Sequence, residues 1–138
     1  MSDLLNPTPP VHPETEPFWE ATADGRLLIR QCRDCDEFHH YPRARCPHCF
    51  GADVIWVQAS GTGTVYTHTV VRRTRGEYAD ATPYVLAYVE LEEGPRMMTH
   101  IVDCDPSAIS IGQEVAVTFT GGDEYEIPRF APVDERGP

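Results

Sequence analysis

After residue 60, apolar and polar positions alternate along most of the chain, which is the two-residue period of half-buried strands. Thr62–Val71 alternates Thr with Val or Tyr, and Tyr84–Leu91 is dense in Val, Leu and Tyr. Glu92-Glu93-Gly94-Pro95 reads as a turn and Arg96–Val102 as the return strand of a hairpin. Asp105-Pro106-Ser107 opens a helical turn or loop. Glu114–Thr120 sets Val115, Val117 and Phe119 on one face, and Gly121-Gly122-Asp123 turns the chain into Tyr125–Ala131. Five short strands, with one longer connection between the third and fourth, predict a small Greek-key barrel.

The pattern before residue 60 is different. Pro7, Pro9, Pro10 and Pro13 make residues 1–13 an extended, poorly ordered arm. A short helix follows: Thr15 or Glu16 can cap it, Pro17 suits its first position and Gly25 its exit. Two turns of helix do not stand alone in water, so Phe18 and Trp19 need a surface. The neighbouring domain supplies one, or a partner protein does, and the pair is carried forward as a candidate partner interface. Arg26–Gln31 and Asp53–Gln58 read as strands flanking a cysteine-rich stretch. The expected division is an arm over 1–13, a helix and metal ribbon over 14–58, and a barrel over 59–138.

Four of the five cysteines form two hooks, Cys32-x-x-Cys35 and Cys46-x-x-Cys49, ten residues apart. Two such hooks bring four thiolates onto one tetrahedral ion, and four protein ligands close the site, so the role is structural. Zinc fits best, and its binding orders a segment too short to build its own core. Iron in a rubredoxin-like electron carrier and a pair of disulfides are the alternatives. The spacer Asp36–Arg45 is expected to be a hairpin. His39, His40 and His48 read as surface groups or groups packed beside the ligands, and Cys104 as a strand-end thiol.

Charge narrows the function classes. The 138 residues carry 22 acids against 11 bases, a net of −11, and every base is Arg. Schiff-base and P-loop lysine chemistry is therefore excluded. Residues 26–49 carry +2 and Arg72-Arg73-Thr74-Arg75 carries +3, whereas residues 76–138 carry −10. Nucleic-acid binding needs an excess of cations and is disfavoured. No run approaches the roughly 18 apolar residues of a membrane span. The opening MSDLLNPTPPVHPETE has neither a basic nor an apolar leader segment, so a cytoplasmic location is expected.

Helix, four-cysteine ribbon and barrel in that order resemble a known family. Pro17-Phe18-Trp19-Glu20, Gly25-Arg26-Leu27, Gln31-Cys32-x-x-Cys35, Tyr41-Pro42-Arg43 and Cys46-Pro47-x-Cys49 are similar to the rubredoxin-like zinc ribbon of the DUF35 family. Gly61-Thr62-Gly63-Thr64-Val65, Thr67–Val70, Pro83-Tyr84-Val85 and Ile111-Gly112 with Val115 resemble its OB-fold half. The match runs over about residues 14–133, and Asp36 stands where many members have Gly.

The resemblance implies a mainly β protein with one structural zinc per chain on Cys32, Cys35, Cys46 and Cys49. It implies a non-catalytic accessory subunit of a thiolase-superfamily or lipid-transfer-protein-like enzyme (a thiolase, an acyltransferase or a steroid side-chain aldolase). A MaoC-type enoyl-CoA hydratase is the alternative partner. The OB barrel of such a subunit would help hold a CoA thioester in the complex. Arg72, Arg73 and Arg75 suit CoA phosphates, because guanidinium forks give paired, charge-assisted hydrogen bonds. Tyr78 and Tyr84 could stack on adenine or fill the barrel mouth. No Ser-His-Asp arrangement, phosphate loop or open metal site supports an autonomous enzyme.

Overall fold

Pro17 and the apolar pair behind it set the first element, α1 (Glu16–Thr22). The computed structural model describes residues 4–121 and 124–133. Thr15 occupies the N-cap position, but its hydroxyl does not cap α1; it donates to the His12 carbonyl (3.2 Å) and accepts from the His12 amide (3.1 Å). The helix ends at Thr22, and Gly25 redirects the chain at φ 71°, a left-handed value that suits glycine.

A three-stranded antiparallel sheet follows, ordered β2 (Phe38–His39), β1 (Leu28–Cys32), β3 (Val54–Gln58). The expected Asp36–Arg45 hairpin is not formed. β2 pairs back onto β1 through Arg30–His39 and Gln31–Phe38, so the hairpin straddles the first cysteine hook. The reason is local: the Cys32–Cys35 turn reverses the chain, and no strand follows β2 before the second hook.

The barrel is closed in the order β4 (Thr62–Val71), β5 (Tyr84–Leu91), β6 (Arg96–Ile101), β8 (Ile127–Pro132), β7 (Glu114–Thr120). The β6–β8 pairing is parallel, at Ile101 and Phe130, and β4 closes onto β7 over Thr62–Thr64. This is the five-stranded OB arrangement. A register shift between Val65 and Thr67 lets the long β4 curl enough to pair with both neighbours. Gly63 permits that curl, since a Cβ there would lie 2.5 Å from the Glu90 carbonyl oxygen. Of the turn expected at residues 121–123, Gly122 and Asp123 lie outside the described residues.

One apolar core joins ribbon and barrel. Phe18, Leu27, Ile29 and Ala59 belong to the same cluster as Val65, Val85, Val89, Leu91, Val115 and Phe130. Thr22 adds a polar tie: its hydroxyl donates to the Trp19 carbonyl (2.6 Å) and accepts from the Glu126 amide (3.2 Å). The proline-rich arm is also anchored. Leu4 is buried, and Asn6 and the Leu5 carbonyl accept hydrogen bonds from Arg129 on β8.

Candidate functional site

Each cysteine hook is a tight turn followed by a residue in left-handed backbone. Asp36 (φ 65°) follows Cys35 and Phe50 (φ 64°) follows Cys49. Their amides donate to the Cys32 and Cys46 carbonyls, each at 2.8 Å, which folds each hook so that both thiols of a pair point inward.

The four Sγ atoms lie within 4.8 Å of one another. Cys32–Cys49 and Cys35–Cys46 are 3.6 and 3.7 Å apart. A tetrahedron with Zn–S bonds near ~2.3 Å has edges of about 3.8 Å, so the cluster already has the dimensions of a zinc site. The His48 amide points to Cys46 Sγ at 3.3 Å. Crowded thiols cannot all ionise unaided. The Glu37 amide pulls Cys35 down, but desolvation and the neighbouring thiols outweigh it and push that thiol up to about 12. Desolvation opposes ionisation of Cys46, yet the Cys49 and His48 amides pull it down to about 7. One thiol ionises readily and its neighbour resists, a conflict a divalent cation resolves by stabilising all four thiolates. With four protein ligands the centre is closed and structural.

None of the three ribbon histidines is needed as a ligand. His48 Nε2 lies 3.3 Å from the Phe38 carbonyl oxygen. His39 is buried without a hydrogen bond to either ring nitrogen, and burial lowers its pKa.

The barrel residues singled out from sequence separate into two groups. Arg72, Arg73 and Arg75 are exposed just beyond β4, and none makes a hydrogen bond or ion pair among the described residues. Tyr84 is half-buried in an aromatic cluster with Tyr78, at 5.8 Å between centroids, and His100, at 5.2 Å. Phe18, named above as a candidate interface residue with Trp19, is 1 % exposed and packs into this chain's own core. Trp19 is half-buried and packs edge-on against Phe18.

Trp19 lines a cleft of about 530 Å³ between α1 and the outer faces of β5, β6 and β8, whose far walls include Tyr78, His100 and Arg129. Arg129 and His100 escape a reading of the sequence. Arg129 is only 2 % exposed, on β8 between Pro128 and Phe130. Its one visible signal is a lone cation inside an apolar strand.

The fold and the cysteine centre agree with the family comparisons. The family described as "ChsH2, rubredoxin-like zinc ribbon domain" matches residues 19–54, and "ChsH2, C-terminal OB-fold domain" matches residues 56–120. A "DUF35 domain-containing scaffold protein" of Methanocaldococcus jannaschii is 37 % identical over 125 residues, covering 84 % of this chain and 89 % of that one. The chain belongs to the DUF35/ChsH2 family. Among solved structures, an "Ltp2-ChsH2(DUF35) aldolase" chain superposes with a TM-score of 0.81 at 36 % identity, covering 91 % of this chain and 98 % of that one. The "Probable enoyl-CoA hydratase alpha subunit" of Thermomonospora curvata is 37 % identical over 129 residues. That match takes in 93 % of this DUF35 chain but 40 % of the relative's length. Relatives are thus subunits of acyl-CoA enzyme complexes or scaffold proteins. Among the described residues no helix is long and apolar enough to cross a membrane.

Proposed function

We propose that this chain is a non-catalytic accessory subunit of an enzyme of the thiolase superfamily, lipid-transfer-protein-like aldolases included, and that it helps bind the acyl-CoA substrate. The observation that carries this reading is the near-complete match to the DUF35 chain of an Ltp2-ChsH2(DUF35) aldolase. The site chemistry supports it. The cysteine centre is closed to substrate, and the unpaired Arg72, Arg73 and Arg75 leave three guanidinium groups free for phosphates. The zinc ribbon and the barrel share one core, which makes a rigid body suited to bridging a partner.

A second reading pairs the chain with an enoyl-CoA hydratase, because one relative carries that name. The two are separated by co-expression. The chain should co-purify stoichiometrically with a thiolase-like aldolase subunit and raise its turnover of a CoA thioester, while showing no turnover alone. Stable association with a MaoC-type hydratase and not with the aldolase would replace the first reading by the second. Robust aldol cleavage, thiolysis or hydration by the pure chain would overturn both.

A further inference from the structure

The four cysteines of the metal centre are not equivalent toward solvent. Cys32 and Cys46 are 0 % exposed and Cys35 is half-buried, whereas Cys49 is exposed. The residues after Cys49 leave it open. Phe50 turns a 74 % exposed side chain to solvent, and Gly51 has no side chain where a Cβ would lie 3.3 Å from Cys49 Sγ.

Across the two hooks the sulfurs fall into two close pairs. Cys49 Sγ lies 3.6 Å from Cys32 Sγ, and Cys35 Sγ lies 3.7 Å from Cys46 Sγ. The exposed thiol therefore has a buried partner at contact distance, and the other pair has no exposed member. An accessible thiolate beside a second thiol is the arrangement that peroxides oxidise selectively and reversibly. The fifth cysteine, Cys104, lies outside the centre. It is half-buried, and burial with Asp105 and Asp103 nearby raises its pKa, which makes it a poor nucleophile.

From this exposure and pairing we infer that Cys49 is a modification site for peroxides, and that its oxidation opens the metal centre through a Cys32–Cys49 disulfide. The Cys49 thiolate attacks one oxygen of the peroxide; an S–O bond forms, the O–O bond breaks, and hydroxide leaves. The Cys32 thiolate then attacks the Cys49 sulfenic sulfur; an S–S bond forms, the S–O bond breaks, and a second hydroxide leaves. Two thiolates give up two electrons, and hydrogen peroxide becomes two hydroxides. Cys35 and Cys46 remain, two ligands where a closed zinc site needs four, so the ion is no longer held. The change reaches beyond the hooks, because Cys32 ends β1 and Ile29 of the same strand belongs to the core shared with the barrel. The inference holds whichever enzyme the chain accompanies, since both sulfurs belong to this chain.

The test uses the full zinc-loaded chain in a Cys104→Ser background, so that every remaining thiol is a ligand. Hydrogen peroxide is added, freed zinc is followed with a chromogenic chelator, and linked peptides are mapped by fragmentation in a mass spectrometer. About one zinc per chain should be released as the Cys32–Cys49 link appears, before any other link, and dithiothreitol with added zinc should reverse both changes. A limiting dose of N-ethylmaleimide should label Cys49 ahead of the other three ligands. Cys49→His keeps a four-ligand set that zinc accepts but removes the attacking sulfur, and its zinc should leave at least about tenfold more slowly at equal peroxide. A first link between Cys35 and Cys46, first labelling at another ligand, a centre that keeps its zinc under peroxide, or release from Cys49→His at the parent rate would each overturn the assignment. The link and labelling order are read on the parent ligand set, so they decide even where Cys49→His fails to hold zinc.

Discussion

Phe50 shows how one side chain can be held against its own preference. It adopts a left-handed backbone, φ 64°, while its ring is 74 % exposed. That conformation costs an L-residue about 1–2 kcal/mol. The ring recovers little by packing, so the cost is set against zinc-site geometry alone. Glycine would remove the strain but adds about 0.5–1 kcal/mol of unfolded-chain entropy. Phe50→Gly is therefore expected to stabilise the protein by about 0.5–1 kcal/mol, read as a higher denaturant midpoint at unchanged slope. Asp36→Gly should gain less, because Asp tolerates left-handed backbone better than Phe does. A second prediction at this scale concerns acid. His100 and His40 are both lowered to about 4, each chiefly by burial. Between the ordinary histidine value of ~6.5 and about 4, the unfolded chain binds protons that the folded chain refuses. Stability should hold above that window and fall progressively as pH drops through it. Equilibrium unfolding at a series of pH values should show a shallower acid limb for His100→Asn than for the parent protein.

At the scale of elements, the strands after residue 60 were legible because each carries a two-residue period bounded by turn residues. Tyr84–Leu91 and Glu114–Thr120 run over the residues the pattern predicts. β2 was not legible: two residues, Phe38 and His39, have no period, and their pairing depends on the Cys32–Cys35 turn. The four cysteines were legible from spacing alone, whereas the cleft was not, since its walls come from α1, β5, β6 and β8. Alternation along one strand cannot reveal a face shared by several. The same element view predicts how the protein responds to metal loss. Elemental analysis should find about one zinc per chain. Stoichiometric iron with a red chromophore would identify an electron carrier instead. Cys46→Ala should release the ion and loosen β1–β3, because about 10–16 kcal/mol of zinc binding supports such ribbons. The barrel should keep its closed ladder but exchange its amides faster. Leu27 and Ile29, on the ribbon side, belong to the same core as Val65 and Phe130. Hydrogen exchange resolves the two levels: protection lost across the ribbon and reduced, not abolished, across β4–β8.

The whole molecule combines a rigid metal-ordered end, a closed barrel and a strongly negative charge interrupted by one basic segment. In a chain of net −11, three unpaired guanidinium groups over Arg72–Arg75 are a local exception rather than a field that attracts polyanions in general. The segment runs on to Tyr78, which packs against Tyr84 and His100 at the cleft wall. In the proposed complex the partner supplies the reacting groups, and this loop supplies affinity at the phosphates, remote from the bond that changes. Binding energy used there tightens the Michaelis complex without altering the chemical step. A charge-assisted hydrogen bond contributes roughly 1.5–3 kcal/mol, so removing one should raise KM for the CoA thioester about 10- to 150-fold and leave kcat nearly unchanged. Arg72→Ala, Arg73→Ala and Arg75→Ala are exposed truncations and should each fold and bind zinc like the parent chain. At least one, measured in the assembled complex, should show the KM effect, and a thioester lacking the CoA phosphates should be insensitive to it. Unchanged KM in all three complexes would assign the loop to the surface. A variant that folds but no longer assembles would place its arginine at the subunit boundary instead of the ligand.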